Sequence, residues 1–166
     1  TGLIAWVAAK TNVSGTSVVA NLYDLDGGGT EIAGATNNAP GTVLATGTTA
    51  LARVDTSNFF TRFEFDSPAS VTTGFAVGLN FANFGNNDVI GIVSNSDGDA
   101  NGSELTWESW DDGAWHTMDQ AWNTASDGDF DLAIFPIICP QNITGVADLT
   151  NQFNLFPNPN NGEFVI

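Results

Sequence analysis

The chain is predicted to be all-β: an antiparallel two-sheet β-sandwich, jelly-roll-like, followed by a polar connector and one fresh apolar strand. Three observations predict this. Apolar residues alternate with polar or small ones over several segments of strand length. Those segments are punctuated by turn residues, in a chain of 166 residues that carries 18 Gly. No segment sustains a 3.6-residue period with caps, so no helix longer than a turn is expected.

Composition bounds the class further. The chain is 42% hydrophobic with 12 Phe and 5 Trp, enough to build a packed interior and too much for wholesale disorder. Charge is sparse and lopsided: 19 acidic residues stand against Lys10, Arg53 and Arg62, for a net charge of -16. Such a chain repels phosphate backbones and anionic headgroups, so no nucleic-acid partner is expected, while cations are favoured. No apolar run approaches the ~18 residues of a membrane span, so no membrane insertion is expected. The opening TGLIAWVAAK lacks Met and a basic flank, so any signal peptide is expected to be already removed or to lie outside this chain. Cys139 has no second cysteine to pair with, and its place after FPII reads as a buried structural thiol.

Residues 4–10 and 16–23 read as strands around a turn at 12–15. In the second, Val18, Ala20 and Leu22 share one face and Val19, Asn21 and Tyr23 the other. Residues 24–42 are too rich in Gly and polar groups for a regular element, and Asp24 and Asp26 within them read as part of a solvated turn. Residues 42–54 form one or two short strands. In 59–65, Phe59, Thr61, Phe63 and Phe65 alternate with Phe60, Arg62 and Glu64, the mark of a half-buried strand. In 75–81, Phe75, Val77, Leu79 and Phe81 face one way. Ala76, Gly78 and Asn80 face the other, where small side chains admit a second layer. Residues 88–94 read as a central strand and 130–138 as a last strand buried on both faces. Between them, 105–110 and 114–118 form a hairpin through Asp111-Asp112-Gly113, because a DG step between alternating runs favours a tight turn.

The stretch 97–115 gathers the groups best able to touch something. Asp97, Asp99, Asn101, Gly102 and Glu108 fit the spacing of a calcium loop, D-x-[DN]-x-[DN]-G-x5-E. Oxygens at alternate positions converge on a hard cation, and the glycine allows the bend. Both flanks read as strands rather than helices, however, and a strand rising ~3.3 Å per residue carries Glu108 away. The expected calcium ligands are therefore Asp97, Asp99, Asn101 and Glu104. Trp107 shares a strand face with Leu105 and is expected in the core. Trp110, Trp115 and Trp122 are the candidates for an exposed platform that stacks a sugar ring, with carboxylates and Asn around it. Glu104 and Glu108 do not make a retaining glycosidase pair, which needs carboxyls ~5–5.5 Å apart, since a strand sets their Cα atoms ~13 Å apart.

Residues 140–152 read as a linker between a sandwich domain, 1–139, and a distinct C-terminal unit, 153–166. That unit, LFPNPNNGEFVI from Leu155, resembles the opening of the type A C-terminal sorting domain of the type IX secretion system of Bacteroidota. Phe156, Pro157, Asn158, Pro159, Gly162, Phe164 and Ile166 carry the resemblance. It implies export by the type IX machinery and a secreted or outer-membrane-surface address. Such sorting domains run further, so the resemblance implies that only the beginning of one is expected within this chain. The body more loosely resembles the jelly-roll domains that precede such signals.

The sequence thus predicts a non-catalytic secreted or cell-surface module that binds glycan or another surface ligand, with calcium bracing residues 97–104. The alternative is a self-associating structural subunit that adds its strand 163–166 to a neighbour's sheet edge. A glycan hydrolase would need clustered carboxylates that the sequence does not supply.

Overall fold

The computed structural model describes residues 1–28, 39–58, 60–72, 74–96, 106–118 and 131–139. Among these the protein is all-β, with antiparallel pairing throughout, as the alternation predicted. Its strands are β1 (Gly2–Thr11), β2 (Ser17–Asp24), β3 (Val43–Ala50), β4 (Phe60–Glu64), β5 (Phe75–Asn80), β6 (Val89–Ile92), β7 (Trp107–Ser109), β8 (Trp115–Thr117) and β9 (Ile134–Ile137). A 3-10 turn, Leu51–Arg53, follows β3.

Two sheets face each other. One is organised around β1, with β4 along one edge. Its other edge is shared: β9 pairs with residues 2–5 and β6 with residues 7–11, across a bulge between Val7 and Ala9. Trp6 joins the two, donating its N–H to the Ala133 carbonyl (3.0 Å) and accepting from Val93 N–H (2.9 Å). The second sheet has the order β3-β2-β5. The connections β1–β2, β3–β4, β4–β5 and β5–β6 all pass between sheets, the habit of a Greek-key sandwich.

The core lies where the inner faces meet. Leu3, Ala5 and Val7 of β1 and Phe63 of β4 pack against Val18 and Ala20 of β2, closed at one end by Leu51 and Val54. Val77, Leu79, Phe81 and Ile134 pack around that cluster. Completely burying Phe63 contributes ~1.5–3 kcal/mol, so this one residue matters on the scale of the whole domain's stability. Lys10 lies across the end of the sandwich and donates to the carbonyls of Ala52 (2.8 Å) and Val54 (2.5 Å), tying the 3-10 turn to β1.

Three expectations are corrected. Residues 88–94 do not form a central strand: β6 ends its sheet, and Val89 is half exposed. The last strand is not buried on both faces. β9 places Phe135 beside Ile4 and Trp6 on the outer face, where it is exposed, because a strand pairing at a sandwich surface has only one core face. Cys139 is exposed rather than buried, since β9 stops at Ile137 and the thiol lies two residues beyond the strand pairing. Residues 153–166 and the linker 140–152 lie outside the described residues.

Candidate functional site

The β7–β8 hairpin forms through a tight reversal. Gly113 donates its N–H to the Trp110 carbonyl (2.9 Å), and Trp110 N–H donates to the Ala114 carbonyl (3.1 Å). Gly113 has φ +79°, a left-handed conformation that follows from its lack of Cβ. Asp112 accepts from Ala114 N–H at 2.9 Å. The DG signal is thus realised as a three-residue loop with a glycine bulge rather than a two-residue turn.

Pleating sorts the hairpin side chains. Trp107 lies opposite Thr117 and Ser109 opposite Trp115, which puts these four on one face and Glu108 and His116 on the other. The first face turns toward the second sheet. There the Trp115 ring meets Tyr23 edge to face, with centroids 5.4 Å apart. Tyr23 is held in turn by Asn21, whose amide donates to the phenol oxygen at 2.8 Å. Both are buried although they lie on the face of β2 opposite the core. Opposite them on β5 stand Ala76 and Gly78, and these small residues leave room for the layer above.

Trp110 is the exposed member, at 45%. Its position is fixed twice. The indole stacks on the His116 imidazole, with centroids 4.0 Å apart and planes at 27°. Its Nε1–H donates to Glu108 at 2.6 Å. His116 also lies 3.8 Å from Asp112. One ring face lies against His116, and the residue as a whole keeps 45% of its surface exposed.

Between this hairpin, the outer edge of β5 and Leu132 and Ile134 lies a groove of about 660 Å³. Trp107, Trp110, Trp115 and Tyr23 supply its aromatic surface, and Asn80, Glu108 and Asp111 its polar groups. The sequence-predicted residues therefore divide. Trp110 and Trp115 come together in one groove, but only Trp110 is the exposed platform expected; Trp115 is half-buried against Tyr23. Trp107, expected in the core, is half-buried and lines the groove as well. Trp122, the expected calcium ligands Asp97, Asp99, Asn101 and Glu104, and the sorting-motif residues Phe156, Pro157, Asn158, Pro159 and Gly162 lie outside the described residues. Among the described residues no three His, Cys, Asp or Glu side chains converge on a common point.

Asp26 has a structural task. Its carboxylate accepts from Thr42 N–H and Thr42 hydroxyl, both at 2.7 Å, and these bonds hold it below the usual carboxylate range. They close the base of the 24–42 loop, where Gly27 bridges Ala39.

The sequence reading missed two features. Tyr23 and Asn80 belong to the groove; their parity opposite the core residues of β2 and β5 was the available signal. A second aromatic group lies on the outer face of the first sheet, where Trp6 meets Phe60 (centroids 4.8 Å apart) and Phe135 (6.3 Å) edge to face. Its signal was that Trp6 alternates against Leu3, Ala5 and Val7. Comparison with protein-family models, curated proteins and solved structures finds no match for this chain.

Proposed function

We propose that the chain is a non-catalytic module of a secreted or cell-surface protein and that it binds glycan in the groove beside the β7–β8 hairpin. One observation carries the reading: Trp110 is half exposed yet held in place by a stacked imidazole and a carboxylate. An exposed indole costs solvation and invites association, and fixing it in advance lowers the entropy lost when a ligand stacks on it. The apolar face of a pyranose ring suits an exposed indole, and Glu108, Asp111 and Asn80 line the same groove with groups able to hydrogen-bond ring hydroxyls. The likeness of residues 155–166 to a type IX sorting domain supports the extracellular setting. Calcium held by Asp97, Asp99, Asn101 and Glu104 would brace the approach to β7.

The test is a glycan array followed by calorimetric titration of the best ligand. Trp110→Ala is expected to weaken binding about tenfold or more, with an unchanged far-UV spectrum. An array with no saturable signal, or full affinity in Trp110→Ala, removes the reading.

A further inference from the structure

We infer that the groove selects uncharged glycans and rejects those bearing carboxylate or sulfate groups. The inference rests on the glycan reading above and concerns the ligand's charge.

The chain has Lys10, Arg53 and Arg62 and no other Lys or Arg. Lys10 is committed to the Ala52 and Val54 carbonyls, and Arg62 to Glu64 at 3.0 Å on the outer face of the other sheet. None of the three lines the groove, whose charged lining among the described residues is Glu108 and Asp111, with Asp112 next in the turn. Recognition of a sugar carboxylate or sulfate draws on Arg, Lys or a cluster of N–H donors, and here the ionised groups are acceptors. An anionic ring stacked on Trp110 would sit within a Debye length (~10 Å at 0.1 M salt) of these carboxylates. The net charge of -16 adds a repulsive field at longer range.

A neutral sugar meets the opposite situation. Its hydroxyls donate to carboxylate oxygens, and bonds to an ionised acceptor are the stronger kind. A donor is available as well: Asn80 spends its amide oxygen on Ala82 N–H at 2.8 Å, which leaves its amide nitrogen to donate to a hydroxyl oxygen. Aromatic surface, acceptor carboxylates and an amide donor together suit a polyol with no charge of its own.

The experiment titrates the full chain, in calcium-containing buffer, with neutral gluco- and galacto-oligosaccharides, with oligouronates of matched length and with a sulfated oligosaccharide. Each titration is run at low and at high sodium chloride. The expected result is that a neutral ligand binds and its acidic counterpart binds about tenfold or more weakly at low salt. The gap should narrow at high salt, and Asp111→Lys should strengthen binding of the acidic ligand at low salt. Acidic ligands that bind as tightly as neutral ones, through a site that Trp110→Ala destroys, overturn the charge selection and leave the glycan reading standing. If neither class binds, the glycan reading itself fails, and this inference with it.

Discussion

Asp88 stands just before β6 and holds two chain reversals together with one carboxylate. It accepts from Val13 N–H (2.7 Å) and Ser14 N–H (3.0 Å) of the β1–β2 turn, from the Ser14 hydroxyl, and from Gly85 N–H (2.8 Å) of its own turn. The Ser14 hydroxyl bond and then the Ser14 N–H bond do most to hold its acidity well outside the usual carboxylate range, on the low side. The sign follows directly. A carboxyl that is a stronger acid when folded stabilises the fold above its unfolded pKa of ~3.9, and that contribution disappears as pH falls toward the folded value. Asp88→Asn keeps the shape but turns an –NH2 toward donors that need an acceptor. Its urea midpoint at pH 7 should fall below that of the wild type, and the difference should shrink between about pH 5 and pH 2. A difference that stays constant over that range would show that the loss comes from packing rather than charge.

At the scale of elements, the two sheets come into direct backbone contact where β3 passes the end of β4. Thr46 accepts from Asp66 N–H at 2.8 Å there, and Gly47 is buried against the Glu64–Phe65 backbone. A Cβ on Gly47 would run into the Glu64 carbonyl group and stand 2.9 Å from Phe65 Cα, backbone that cannot turn aside. Gly47→Ala should therefore destabilise the domain by about 1–3 kcal/mol in urea unfolding, despite alanine's better strand propensity. Wild-type stability in that variant would mean the corner yields. Nothing in the sequence marks this contact, since Gly47 sits in a run of Thr and Ala that looks like any polar strand. The elements themselves were legible: alternation located β4 and β5, and the Asp112-Gly113 step located the hairpin. Exposure was harder to read. The apolar composition of 88–94 and 130–138 suggested strands buried on two sides, but β6 and β9 share one edge of β1 and show their outward residues to solvent. Trp110 and Trp115 were nominated together, yet pleating places one against His116 and the other against Tyr23, a distinction that depends on which hairpin face meets the sandwich.

For the whole molecule, charge and architecture combine. A net charge of -16 opposes compaction, and only three basic side chains are present to offset it. Cations can stabilise such a domain by general screening or by occupying a site, and the two are separable. Residues 97–105 connect the β6 side of the sandwich to β7, so a cation held by Asp97, Asp99, Asn101 and Glu104 would stabilise the folded state by mass action. Screening depends on ionic strength alone, whichever salt supplies it. Thermal unfolding in calcium, in chelator and in sodium chloride of matched ionic strength separates the two. With calcium about a hundredfold above its dissociation constant, the ligand adds ~2.7 kcal/mol, or roughly 5–10 °C in midpoint for a domain of this size. Asp99→Asn should remove most of that shift and leave the sodium chloride response unchanged. Calcium and matched sodium chloride giving the same curve would assign the whole effect to screening, and the acidic stretch would then serve solubility rather than the hairpin.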